Sequence, residues 1–205
     1  LSGDIKIWAA VVKISGATAD WLSSRPLAIK IKKIAGALGA EISGVDLTQP
    51  MSTDLTKEVR DVFLKNSVIF FRNQALTSQQ FMNFAKAMGE PIEYPFVKGF
   101  EDFPQIIEVK KLEHEKVNFG GVWHSDTAYL DIPPMGSMLL SKEIPPYGGD
   151  TLFACQYAAY EALSDTMQRL LHGLKGVNTS AKADVSKTRE DRIKSDSIES
   201  SPKSF

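Results

Sequence analysis

The 205-residue sequence predicts an α+β fold: helices early, a mostly antiparallel β region after them, one late helix and a loose polar tail. Three observations support this. Before residue 90, two segments repeat apolar side chains at helical spacing behind residues able to cap a helix. From residue 91 onward, short apolar runs alternate with Pro- and Gly-rich turns. Residues 180–205, SAKADVSKTREDRIKSDSIESSPKSF, carry few large apolar side chains and cannot bury enough surface to order themselves alone.

Composition narrows the function classes. Hydrophobic residues make up 43% and charged residues 24%, ordinary for a soluble globular domain. Lys+Arg 24 against Asp+Glu 25 gives a net charge of -1, so no global field draws nucleic acid or a membrane surface. The one cysteine, Cys155, excludes an internal disulfide and a Cys-rich zinc site. No apolar run is long enough to span a bilayer. The expected compartment is the cytoplasm, and homo-oligomerisation is left open.

Residues 1–27 show weak periodicity and end at Ser23-Ser24-Arg25-Pro26, an N-terminal extension with no assigned structure. Its apolar run IKIWAAVVKI (5–14) lacks a basic n-region and is interrupted by Lys6 and Lys13, against a signal peptide. The expected domain covers 28–179. It opens with AIKIKKIAGALGAEISGVDL (28–47), two short strands with turns at Gly36, Gly39 and Gly44. A phosphate loop is the alternative for these glycines, but it lacks the GK[ST] ending and a following helix.

Ser52 or Thr53 then caps a helix carrying Leu55, Val59, Val62 and Phe63 on one face. SVIFFR (67–72) reads as a short buried strand. Thr77 or Ser78 caps a second helix, with Phe81, Phe84, Ala85 and Met88 facing a core and Gly89 as its stop. IIEVKKL, GSMLLSKEI and DTLFACQ are strand candidates among the turns DIPPMG and IPPYGGD. AAYEALSDTMQRLLHGL (158–174) reads as one amphipathic helix with Tyr160, Leu163, Met167, Leu170 and Leu171 on a face.

The segment GGVWHSDTAYLDIPPMG (120–136) carries the chemistry. If VWHSDTAYL is a strand, His124 and Asp126 project from the same side and can reach one ion. A His-X-Asp pair is two members of the 2-His-1-carboxylate triad, which leaves open positions on iron(II). The plain alternative is an exposed turn or strand edge. Trp123, the flanking Gly120 and Gly121, and the stiff Pro pairs at 133–134 and 145–146 weigh towards a built site.

WHSDTAYLDIPPMGSMLLSKEIPPYGGDTLFACQYAAYEALS resembles the metal-binding half of the taurine dioxygenase (TauD/TfdA) family. GAEISGVDL, VIFFRNQALTSQQFMNFAKAMGE and PQIIEV resemble it too, in the same order, so the likeness covers about 28–194. It implies a double-stranded β-helix (jelly-roll) with flanking helices, incomplete in this chain. It also implies an iron(II)-dependent dioxygenase with 2-oxoglutarate as cosubstrate. Members oxidise a C–H bond of a small substrate with O2, while 2-oxoglutarate loses CO2 to become succinate.

By that resemblance His124 and Asp126 match the first two iron ligands, and Thr151 of GGDT matches the threonine that binds a 2-oxoglutarate carboxylate. GGDT also reads simply as a hairpin turn entering a strand. Tyr94, Phe96, Asn118 and Phe119 are candidates for the substrate pocket, with loop packing as their alternative. The taurine-oxidising pattern has a histidine at Tyr94, a tyrosine near Val97 and an asparagine near Gly120. None is kept, which implies a small acidic substrate, a sulfonate, sulfate or other acid, rather than taurine itself.

The family's second histidine ligand and its 2-oxoglutarate-gripping arginine lie downstream, after an insert that SKTREDRIK (186–194) resembles. His114 sits between Glu113 and Glu115, and His172 sits on the late helix; neither matches the ligand position. The expectation is a fragment that binds iron weakly and turns over little. The rival readings are a non-catalytic remnant or regulatory binding protein that keeps the fold, and a zinc hydrolase built on the same pair. The latter would need a further ligand and a general base.

Overall fold

A computed structural model describes residues 5–13, 29–112, 123–179 and 203–204, the first and last of these as backbone. The elements run β1 (Ile5–Lys13), β2 (Lys30–Lys33), β3 (Ala40–Ser43), α1 (Thr53–Asn66), β4 (Ile69–Phe71), α2 (Ser78–Met88) and β5 (Glu90–Ile92). They continue with β6 (Ile106–Lys111), β7 (Gly136–Glu143), α3 (Gln156–Glu161), α4 (Asp165–Leu171), β8 (Val177–Asn178) and β9 (Lys203–Ser204). The chain divides into two units, one of 1–15, 81–150 and 175–205, the other of 16–80 and 151–174.

In the second of these units, β2 and β3 form the expected hairpin, with Ile31 opposite Ile42. Gly39 takes a left-handed φ of 94°, and Ile34 N donates to its carbonyl at 3.1 Å, so these glycines serve a turn. β4 pairs parallel to β3, and α1 makes the crossover between them. Ala40 and Ile42 of β3 are buried, as are Val59 and Val62 on the predicted face of α1, where Leu55 and Phe63 are half-buried. Ser52 is the N-cap of α1, its hydroxyl accepting from Leu55 N at 3.2 Å, an arrangement worth roughly 1 kcal/mol. β4 is half-buried rather than buried, and it forms the edge of its sheet, paired with β3 alone.

α2 starts with a capping box. Thr77 Oγ1 accepts from Gln80 N at 3.2 Å, and Gln80 Oε1 accepts from Thr77 N at 2.9 Å. The boundary between the units falls after Gln80. The buried face of α2 is Phe81, Met82, Phe84, Ala85 and Met88, and Gly89 N closes the helix on Ala85 O at 3.0 Å.

The other unit is organised around β1. This strand pairs antiparallel with β7 along one edge, and with β6 and then β5 along the other. Ile106, Ile107 and Leu140 are buried on β6 and β7, and Val97 packs with Ile107 under Tyr94 and Val109. Gly99 is obligatory in the loop before β6: a Cβ there would lie 2.1 Å from the Pro104 carbonyl oxygen.

Three expectations about local structure are corrected. The described part of VWHSDTAYL, 123–130, is not a strand: 123–125 form no ladder and 126–129 form a turn. Thr127 has a φ of 48°, and Leu130 N bonds back to Thr127 O at 3.0 Å, which takes the backbone out of the extended region. DTLFACQ forms no strand either; 151–155 are unpaired and lead into α3. The single helix over 158–174 is two, because Ser164 stops the first and caps the second, accepting from Met167 N at 3.3 Å. The run IKIWAAVVK, left without assigned structure, supplies β1. The tail over 180–202, His114, Asn118 and Phe119 lie outside the described residues.

Candidate metal and cosubstrate site

Chain geometry on the 123–137 segment sets this site. The turn at 126–129 folds the backbone sharply after Asp126, and Pro133-Pro134 stiffen the link into β7. As a result His124 and Asp126 face one another although they are not on a strand. His124 Nε2 lies 2.9 Å from Asp126 Oδ1, and the two side chains are 48% and 50% exposed. Asp126 Oδ2 accepts from Ser137 Oγ, on the first turn of β7 into its ladder, at 2.5 Å. That length falls in the charge-assisted range for a hydroxyl on a carboxylate.

As an ion pair at this exposure, the His124–Asp126 contact would contribute little to stability. As a donor set it has more to offer. Two ligands held at right angles about 2.1 Å from one ion lie about 3 Å apart. The observed separation therefore suits neighbouring ligands of a single ion, and imidazole with carboxylate suits iron. Among the described residues no group of three or more His, Cys, Asp or Glu side chains gathers for a metal. His172 is the exposed C-cap residue of α4.

Aromatic side chains stand beside the pair. Tyr94 and Phe96 meet edge-on, with ring centroids 6.0 Å apart at 76°. Phe96 and Tyr129 follow at 5.8 Å and 51°. Burial pushes the Tyr129 hydroxyl well above the ordinary phenol range, with Tyr94 and the charge of Asp126 adding to the effect. Burial also raises Tyr94, to which the Asp126 charge adds and which the Tyr129 hydroxyl partly offsets. Among the described residues, the buried Tyr129 hydroxyl has no hydrogen bond of good geometry, and neither has Thr127 Oγ1. The packing expected of Tyr94 is present, its ring lying against Val97 and Ile107.

Sequence reasoning missed Tyr129 and Ser137. Tyr129 could have been found as an aromatic three residues past Asp126. Nothing local marks Ser137, which is eleven residues from its partner. Trp123, which weighed towards a built site, is 70% exposed. Thr151 is exposed and begins the 151–174 segment of the other unit, after Gly148 and Gly149 with left-handed φ of 79° and 72°. The expected hairpin is not formed: 148–155 enter no ladder, and the two glycines supply only left-handed backbone. Two predicted ligands therefore come together, with two predicted pocket residues on the same unit.

Mixed helices and antiparallel strands, with W-H-x-D, P-P-x-G and G-G-D-T in that order, define the class of the chain. It belongs to the Taurine catabolism dioxygenase TauD, TfdA family, whose model matches residues 30–203. The chain is 30% identical over 154 residues to an alpha-ketoglutarate-dependent sulfate ester dioxygenase of Pseudomonas putida, covering 75% of this chain and 50% of that protein. It is 30% identical over 152 residues to an alkylsulfatase of Acinetobacter baylyi, covering 74% and 47%. The crystal structure of a taurine dioxygenase from Burkholderia xenovorans superposes with a TM-score of 0.61 at 31% identity, covering 74% of this chain and 53% of that one. The chain spans about half the length of the curated relatives it matches.

Proposed function

We propose that this chain supplies the first two metal ligands and the cosubstrate threonine of an iron(II)- and 2-oxoglutarate-dependent dioxygenase. His124 and Asp126 would hold the ion, and Thr151 would donate its hydroxyl to a carboxylate of 2-oxoglutarate. Residues 28–179 would form the dioxygenase domain, part of a double-stranded β-helix. When bound, the metal supplies a site for O2 activation coupled to oxidative decarboxylation of the cosubstrate, with succinate and CO2 as products. The protein's share is to fix the two donors side by side, keep their positions around the ion open on the solvent side, and line the approach with Tyr94, Phe96, Asn118 and Phe119.

A small acidic substrate, a sulfate ester or sulfonate in particular, fits this reading. The Pseudomonas putida relative is named for sulfate esters and the Acinetobacter baylyi relative for alkyl sulfates. The aromatic rings of Tyr94 and Phe96 suit an alkyl or aryl body, and the Tyr94 hydroxyl suits an anionic oxygen.

The observation that carries the proposal is the 2.9 Å separation of His124 Nε2 and Asp126 Oδ1 within the family motif. Anaerobic calorimetric titration with Fe(II) tests it. Weak binding by residues 1–205 is expected, lost in both His124→Ala and Asp126→Asn. Binding that survives unchanged in both variants would remove these residues from the metal site.

A further inference from the structure

The carboxylate of Asp126 is held at both oxygens by different groups, and the division of labour between them goes beyond the ligand assignment. Oδ1 is the oxygen beside His124 Nε2 at 2.9 Å. Oδ2 is turned the other way and accepts a 2.5 Å hydrogen bond from Ser137 Oγ. We propose that Ser137 is a positioning residue for the metal centre: by occupying Oδ2, it fixes the carboxylate plane so that Oδ1 alone is presented to the ion beside the imidazole. This inference rests on the ligand assignment above.

The physical case has three parts. First, an aspartate in an exposed turn rotates freely about its terminal torsion, which is broad and two-fold. Without a second anchor either oxygen, or both, could face an ion. A charge-assisted hydroxyl contact removes that freedom before the ion arrives, so less ordering is left to the binding step. Second, the anchor is stiffer than the residue it holds. Ser137 lies on β7, whose backbone is paired with β1, Ser137 opposite Val11. Asp126 lies in a turn whose next residue has a left-handed backbone. Third, the link between the two passes through Pro133-Pro134, so the loop that separates them has few conformations to lose. Hydrogen bonds of this kind to metal ligands set ligand orientation, and their removal typically weakens metal affinity about 10- to 100-fold.

Ser137 is exposed and buries no core surface, so replacing it leaves packing alone. Co(II), a coloured ion that takes the same donors, is the probe. Residues 1–205 and the Ser137→Ala, Ser137→Thr and Asp126→Asn variants are titrated with Co(II) under visible absorption, and their thermal unfolding is recorded without metal. The expected result is a Co(II) dissociation constant raised about 10-fold or more in Ser137→Ala, with a changed absorption band. Ser137→Thr, which keeps the hydroxyl, should restore both. Unfolding midpoints of the metal-free proteins should coincide.

Equal affinity and an identical band in Ser137→Ala and the wild type, with binding still lost in Asp126→Asn, would overturn the positioning role and leave the ligand assignment standing. A fall in affinity matched by an equal fall in metal-free stability would also overturn it, in favour of a structural role. If Asp126→Asn binds Co(II) as the wild type does, the ligand assignment fails and the role of Ser137 fails with it.

Discussion

Tyr94 and Tyr129 show how a few side chains next to a charged ligand acquire properties that their type alone does not give. Both are partly withdrawn from water, and both feel the carboxylate of Asp126, so each phenol is harder to ionise than in solution. The consequence for pH dependence has a definite sign. A proton held more tightly in the folded than in the unfolded chain favours folding less as pH rises past the ordinary phenol value of 10.0. The stability tied to these two groups is therefore complete below pH 10 and is lost progressively above it. Phenolate absorbance followed during an alkaline titration should show Tyr94 and Tyr129 ionising above the ordinary phenol value. Replacing Tyr129 by Phe should remove one of the late steps. An alkaline titration unchanged by Tyr129→Phe except for the loss of one step at the ordinary phenol value would show that the Tyr94–Phe96–Tyr129 cluster does not shield its hydroxyls.

Helices differ in what holds them, and the difference predicts their dynamics. α1 and α2 bury Val59 and Val62, and Phe81, Phe84, Ala85 and Met88, respectively. α3 and α4 span 6 and 7 residues and bury none. Backbone hydrogen bonds alone leave helices shorter than about 12 residues marginal in water, since nucleation is unfavourable and packing normally supplies the rest. Leu170 at 64% and Tyr157 at 77% exposure are apolar side chains with no such packing among the described residues. Hydrogen exchange on residues 1–205 should find the amides of 156–171 far less protected than those of 53–66 and 78–88. Comparable protection in all four would mean that α3 and α4 are covered by residues outside those described. α1 and α2 and their caps were legible in the sequence, because Ser, Thr and apolar spacing act within one or two turns, whereas the Ser164 cap that divides 158–174 was not read. The strand drawn through VWHSDTAYL failed because period-two alternation is satisfied equally by a segment that the left-handed Thr127 then turns away. β1 was missed for the opposite reason: its partners β5, β6 and β7 are 77 or more residues away, and no local pattern announces such pairing. The His124–Asp126 pair survived the loss of the strand, because a tight turn also brings residues two apart together.

At the scale of the whole molecule, the chemistry depends on how many ligands one polypeptide can bring to the ion. A facial triad holds iron(II) with three protein donors and leaves three positions for cosubstrate and O2. On the proposed assignment His124 and Asp126 would account for two, and among the described residues no third gathers with them. The chain also spans only about half of its curated relatives. An ion held by only two protein donors would exchange readily, and a chelating 2-oxoglutarate would compete for it in solution as well as at the site. Residues 1–205 alone should therefore release no succinate from 2-oxoglutarate in the presence of Fe(II), O2 and an alkyl sulfate. Joined to a downstream segment that carries the second histidine and the arginine implied by the family pattern, the same residues should give O2-dependent succinate release. His124→Ala should abolish that release while leaving the unfolding transition in place, since an exposed ligand contributes little to the fold. Succinate from the 205-residue chain by itself, lost in His124→Ala, would mean that the third donor is already within it, in a segment such as 113–122 that holds His114.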